Sequence, residues 1–347
     1  MANLTVRPIL DHCIKIGASD IHMSEGENIG FRVHGELGKV SGNPLDTLKA
    51  KQILLELLND NKEAVKEFFE KRDADFAYIH TDGTPFRVNA FYKLGKIAFV
   101  LRKIASEPKS IEELGLPRGV SKFTKAKGGL ILVTGPTGSG KSTSMISILD
   151  AINKTRREHI ITIEDPTEFI FKDNLSIFSQ REVGKDTRSF SSALRAAMRE
   201  DPDIVMVGEM RDKETVEAAV ELAETGHLVI STLHTAGSVQ TITRLVNFFH
   251  PELQHSFRYK LGDILFGVLS QRLIPKIGGG RAGIFEVMMM TPGIRNLIRA
   301  GDLVQINNAI EMGQSEGMIT MKNYADNLRD KGIVKEEDYI NYFMDDM

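Results

Sequence analysis

The sequence predicts an α/β protein in two parts, an α+β N-terminal region followed by a parallel-sheet core that ends in helices. Three observations carry this expectation. The chain has 347 residues, about two domains at roughly 100 to 200 residues each. From residue 128 onward, strand-length apolar runs at 130–133, 160–163, 204–207 and 228–231 alternate with helical stretches such as 189–200 and 216–225, which implies parallel strands with helical crossovers. Before residue 105, by contrast, a helical segment is followed by three strand-like runs joined by short turns.

Residues 1–105 form the first part. A helix is expected over 46–58, with Asp46 or Thr47 as N-cap and leucines on one stripe. Strands follow at 76–79, 86–92 and 97–104, and Asp82-Gly83 marks a tight turn between the first two. In the middle strand Phe86, Val88 and Ala90 share one face, which leaves Arg87 and Asn89 on the other. Residues 106–128, with Pro108, Pro117 and alternating lysines, read as a linker. The core then occupies 129–347, helical from about residue 285 and ending in an acidic, frayed tail over 335–347.

The 41% apolar and 26% charged fractions are ordinary for a soluble globular chain. No apolar run approaches the ~18 residues of a membrane-spanning helix, and the N-terminus lacks a signal peptide's apolar stretch. A single cysteine, Cys13, excludes an intrachain disulfide and any zinc site built on paired cysteines, and points to a reducing compartment. The formal charge is 44 − 47 = −3. Residues 1–105 hold 15 basic and 14 acidic groups and 106–128 hold 5 and 3, so 129–347 hold 24 and 30, a net of −6. A basic stripe for nucleic acid is not visible, although a local patch can hide in a near-neutral total.

Gly135, Pro136, Thr137, Gly138, Ser139, Gly140, Lys141 and Ser142, followed by Thr143, satisfy G-x-x-x-x-G-K-[ST] between an apolar strand and a helix. Glycines let successive backbone N–H groups curl around phosphates, and the helix N-terminus adds favourable field for the negative charge. Lys141 would reach the β- and γ-phosphates, and the Ser142 hydroxyl would ligate Mg²⁺. A nucleoside triphosphatase follows. Asp203 and the apolar run 204–207 lead to Gly208 and Glu209, where a generic Walker B strand would place Asp at 208; a glutamate at 209 can orient or deprotonate the attacking water. Glu164-Asp165 ends the strand at 160–163, and strand C-termini face the ligand crevice in open α/β sheets. His227 and His234 bracket the strand at 228–231. A metal role for them is poor, and His234, just past the strand's C-terminal end, suits a γ-phosphate sensor as well as it suits a packed surface residue.

Together, GPTGSGKST (135–143), IITIEDPTEF (160–169), DPDIVMVGEMRD (201–212) and TGHLVISTLHT (225–235) strongly resemble the Walker A, Asp box, Walker B and His box of the secretion-superfamily ATPases of type IV pili and type II secretion. Segments 17–24, 86–91, 179–187 and 276–281 are similar to the twitching-motility, retraction-type branch. TPGIRNLIRAG (291–301) resembles its AIRNLIRE signature, with departures at Gly293 and Ala300. The resemblance implies a PAS-like N-terminal domain and a RecA-like ATPase core, in a ring of six where each N-terminal domain packs on its neighbour's core. It implies Glu209 as the catalytic glutamate, Glu164 as an acid positioning Mg²⁺ and water, His227 and His234 as His-box residues, and Arg87 and Arg102 as arginines that approach the nucleotide.

ATP and Mg²⁺ are the implied cofactors. The implied partners are a PilC-like inner-membrane platform protein and a PilU-like motor, with the chain cytoplasmic and peripherally associated with the inner membrane at the pilus base. Extension and type II secretion ATPases commonly carry a four-cysteine zinc module, so the lone cysteine favours retraction. An accessory retraction motor of the PilU type, or an extension or secretion motor without zinc, are the alternatives within the family. A RecA-like nucleic-acid translocase, disfavoured by the core's −6 and the lack of a basic-aromatic track, is the alternative from another class. A nucleotide-gated scaffold is a third reading.

Overall fold

The computed structural model describes residues 6–33, 35–40, 42–58, 62–104 and 107–344; residues 345–347 of the expected acidic tail lie outside them. The chain divides into two compact units, Met1–Glu107 and Pro108–Met347.

The first unit is one antiparallel sheet with helices. Its strands are β1 (Asp20–Ser24), β2 (Gly30–Val33), β3 (Glu36–Lys39), β4 (Asp73–Ile79), β5 (Pro85–Lys93) and β6 (Lys96–Lys103), in the order β3-β2-β1-β6-β5-β4. Alternation builds its core: Phe86, Val88 and Ala90 on β5 and Phe99 and Leu101 on β6 are buried with Leu10, Ile53, Leu57 and Phe68 from the helices Arg7–Lys15, Thr47–Leu58 and Lys62–Lys71. The helix at 47 starts where Asp46 Oδ1 accepts the Lys49 amide at 2.8 Å. The β4–β5 turn is closed by Thr84 N donating to Asp82 Oδ1 at 2.8 Å, with Gly83 at φ +88°. Strands β1–β3 carry little sequence signal because they are four or five residues long and β3 is exposed throughout.

The second unit is built on β7 (Gly129–Thr134), β8 (His159–Glu164), β9 (Ile177–Glu182), β10 (Ile204–Val207), β11 (Leu228–Leu233), β12 (Leu265–Pro275) and β13 (Arg281–Met289). The order is β13-β12-β7-β11-β10-β8-β9, and all neighbours are parallel except the β12–β13 hairpin. Helix Lys141–Thr155 follows β7, Lys213–Glu224 follows β10 and Ser238–Asn247 follows β11. Central parallel strands are buried on both faces and therefore read as continuous apolar runs, which is why these four strands were legible.

Two expectations are corrected. Residues 281–289 are not helical: β13 pairs with β12 from Gly267↔Met289 to Pro275↔Arg281, and helices resume at Pro292, where Thr291 Oγ1 accepts the Ile294 amide at 3.2 Å. A short apolar run such as Val287–Met289 does not declare its period, so neighbours decide. Nor is the stretch after Pro108 a free linker. Leu116, Val120, Phe123 and Ala126 are buried in the second unit's core, with Val120–Phe123 helical. A Cβ at Gly267 would stand 2.6 Å from the Phe123 ring, so β12 is shaped around it. The prolines and lysines of this segment masked an apolar spacing of i, i+4, i+7.

Candidate active site

The phosphate loop leaves the C-terminal end of β7 and enters helix Lys141–Thr155. Gly138 and Gly140 take left-handed backbone at φ +76° and +88°. Gly140, the N-cap, has no side chain to accept the first helical amides, which leaves them available to an anion. From β12, Gln271 Nε2 donates to the Ser139 carbonyl at 2.7 Å and pins the loop from behind.

Lys141 is buried. Its Nζ donates to the carbonyls of Gly135 at 2.8 Å and Pro136 at 3.0 Å, and to His234 Nδ1 at 3.4 Å. Burial holds this ammonium below its ordinary pKa, against the opposing pull of Glu209 and Glu168. With Nδ1 accepting, His234 Nε2–H donates to Glu209 Oε2 at 3.3 Å. Glu209 also pairs with Arg211, whose Nη1 lies 3.7 Å from Asp165 Oδ2. A continuous polar chain therefore runs Lys141–His234–Glu209–Arg211–Asp165. Burial pushes the Glu209 carboxyl up, but the hydrogen bond and charge of Arg211, with His234, outweigh it and hold the group below the usual glutamate range.

The departure at 208 has a local cause. Gly208 N donates to the Ile163 carbonyl at 2.8 Å, Thr232 Oγ1 donates to the Gly208 carbonyl at 2.6 Å, and a Cβ there would sit 3.3 Å from the Ile163 carbonyl oxygen. The strand end is clamped between neighbours, and the carboxylate is carried by the next residue. At the end of β8, Glu164 is buried and accepts from Thr162 Oγ1 at 2.8 Å, Glu168 N at 3.1 Å and Gln180 Nε2 at 3.3 Å. Burial raises its pKa in spite of these donors.

Thus the ends of β7, β8, β10 and β11 gather the loop, Glu164, Glu209 and His234, as expected for strand C-termini. Arg211 and Gln271 were missed. Arg211 lies two residues beyond Glu209, a signal that was available, whereas Gln271 sits in a strand whose sequence did not announce itself.

His227 is corrected. It stands before the first residue of β11, so seven residues at ~3.3 Å each separate it from His234 by about 23 Å. Its Nδ1 faces the Leu222 carbonyl at 3.1 Å and Thr225 Oγ1 at 2.9 Å, at the opposite end of the sheet.

Arg87 and Arg102 belong to the first unit, where the β5–β6 register sets them directly opposite each other. Arg87 Nη2 pairs with Asp75 Oδ2 at 2.5 Å, and Arg102 Nε with Asp20 Oδ1 at 2.7 Å. Burial raises the Asp20 carboxyl, but hydrogen bonds from Arg102 and Ser19 and the charges of Arg102 and Arg32 hold it below its ordinary range. Such a depressed pKa contributes stability above the unfolded value, about 3.9, and loses it as pH falls through the folded value. Arg102→Ala removes the main lowering partner while burial remains. Its thermal midpoint is therefore expected to lie a few degrees below the parent's near neutral pH, the gap closing as pH falls through the lowered value of the Asp20 carboxyl. A constant gap across that range would show that the Asp20 pair is not responsible.

A family profile described as "Type II/IV secretion system protein" matches residues 2–279. Over 334 residues the chain is 42% identical to the type IV pilus retraction ATPase PilT of Pseudomonas aeruginosa, covering 96% of each. It is 34% identical to the type IV pilus ATPase PilU of the same organism, covering 94% of this chain and 85% of that one. The crystal structure of the pilus retraction motor PilT with bound ADP superposes with a TM-score of 0.91 at 42% identity, covering 98% of this chain and 97% of that one. With its phosphate loop and strand-end acids in place, the chain belongs to the Type II/IV secretion system protein family and is a secretion-superfamily ATPase.

Proposed function

We propose that this ATPase is a motor of type IV pilus retraction. The observation that carries the reading is the connected set Lys141–His234–Glu209 in a chain similar to a retraction ATPase along nearly its whole length. In this reading Gly135–Thr143 bind the phosphates of ATP, Glu209 orients the attacking water, and His234 reports the γ-phosphate to Lys141 and Glu209. Mg²⁺ would be held by the Ser142 hydroxyl and the Glu164 carboxylate. That donor set fits a hard cation that keeps waters and phosphate oxygens as its other ligands, and a cation beside Glu164 would offset the burial that now raises its pKa. Arg87 and Arg102 would leave Asp75 and Asp20 to approach the nucleotide, as arginine fingers do.

The finer architecture follows the same resemblance: a PAS-like first unit, a RecA-like core and a homohexamer. The ring would be cytoplasmic and would act on a PilC-like inner-membrane platform. No helix among the described residues is long and apolar enough to cross a membrane, so attachment would be peripheral. The similarity to PilU supports an accessory retraction motor as the second reading. Deleting the chain from its host and imaging pili tests the proposal. Persistent, unretracted pili are expected, whereas cells without pili would assign it to extension.

A further inference from the structure

At the pole of the second sheet opposite the phosphate loop, where the parallel strands begin, a cleft of about 940 Å³ opens beside the turns that lead into β7, β8, β10 and β11. Lys125, Lys127, Arg156 and Arg157 line it, against the carboxylates Glu158 and Asp203. The balance is 4 − 2 = +2 in a chain whose total is −3. Both carboxylates are already engaged: Glu158 Oε1 accepts from Arg156 Nε at 2.9 Å, and Asp203 Oδ2 accepts from His159 N at 2.8 Å. Arg156 is itself fixed, donating to the carbonyls of Ala126 at 2.6 Å and Thr124 at 3.1 Å. Lys125, Lys127 and Arg157 are exposed, and among the described residues no carboxylate lies within ion-pair distance of them. This is the local patch that a near-neutral total conceals, and it absorbs both the alternating lysines and the displaced His227, which stands in its wall.

We propose that this cleft docks an extended, acidic polypeptide segment of a partner protein. Its chemistry selects that occupant over the other polyanions. A nucleic acid would find a lining without the aromatic platforms on which bases stack. A bilayer is served by a surface with large apolar side chains to insert, whereas this one is concave and lined by cations, threonines, Pro202 and Gly226. An acidic peptide finds charge-assisted donors in Lys125, Lys127 and Arg157. Because the cleft and the phosphate loop lie at opposite ends of the strands, the segment docks without covering the nucleotide site.

The test uses the full chain with fluorescein-labelled decaglutamate, read by anisotropy, with an oligothymidylate and phosphatidylglycerol vesicles as competing probes. The triple variant Lys125→Gln, Lys127→Gln, Arg157→Gln is expected to weaken peptide binding on the order of tenfold or more and to flatten its salt dependence, while ATP turnover without peptide is unchanged. In the parent chain, decaglutamate is expected to slow amine-reactive labelling of Lys125 and Lys127, a measurement that needs no variant. Equal peptide affinity in parent and triple variant would overturn the proposal, as would labelling rates that ignore the peptide. Tighter binding of the oligonucleotide or the vesicles, lost in the triple variant, would overturn it in favour of that polyanion.

Discussion

Replacing Glu209 by alanine is expected to lower ATP turnover roughly a hundred- to ten-thousand-fold, the range that a positioned acid–base group supplies, while nucleotide binding survives. The separation follows from the geometry. The phosphate loop is held by β7, by its own glycines and by Gln271, none of which depends on Glu209. Glu209 instead sits at the end of β10, tied to His234 and Arg211. Its pKa is held down, so it is ionised at neutral pH and a weaker base than an ordinary glutamate. That suits orienting a water more than stripping its proton in advance. Phosphate release at saturating ATP and Mg²⁺, beside equilibrium binding of a fluorescent ADP analogue, separates the two effects. Unchanged turnover would falsify the assignment of Glu209, and equal loss of binding would reassign it to the nucleotide pocket.

The largest effect on stability is expected at Gly135. Its φ of +150° is one that L-residues rarely adopt, and a Cβ there would stand 2.1 Å from the Gln271 carbonyl oxygen and 2.6 Å from Ser139 Oγ. The carbonyl belongs to β12, inside a seven-stranded sheet, and cannot step aside as a flexible side chain would. Gly135→Ala therefore combines backbone strain with overpacking, about 2–5 kcal/mol in total, or roughly 5–15 °C in the thermal midpoint, and nucleotide affinity should fall with the displaced loop. Gly138→Ala is the control. Its φ is +76° with nothing within 4 Å of the added carbon, so only the strain is incurred, on the order of 1 kcal/mol. Midpoints by calorimetry and ADP titration decide; equal losses in the two variants would mean that the β12 contact is not what makes Gly135 necessary.

The residues that depend on local rules were readable from the chain alone. The phosphate loop, the acids Glu164 and Glu209, and His234 lie at the ends of β7, β8, β10 and β11, whose buried runs declare themselves. The period-two face of β5 was equally plain, because hydrophobic alternation is a property of neighbours in sequence. What was not readable depends on residues far apart. Gln271 reaches Ser139 across 132 positions. Arg211 joins Glu209 to Asp165, just past the end of a different strand. Phe123 takes its place in the core through Gly267. His227 and His234 look alike in a motif, yet a strand between them sends them to opposite poles.

Sequence by itself therefore determined the local motifs of this protein: a glycine-rich loop of the phosphate-binding pattern and strand-end acids, from patterns enforced over a few residues by backbone geometry. Tertiary structure alone decided which of the candidates share a site and which carboxylates hold the arginines. It also decided that the lysines before β7 and the arginines before β8 line a single cleft, because sheet order, not sequence order, sets which strand ends are neighbours.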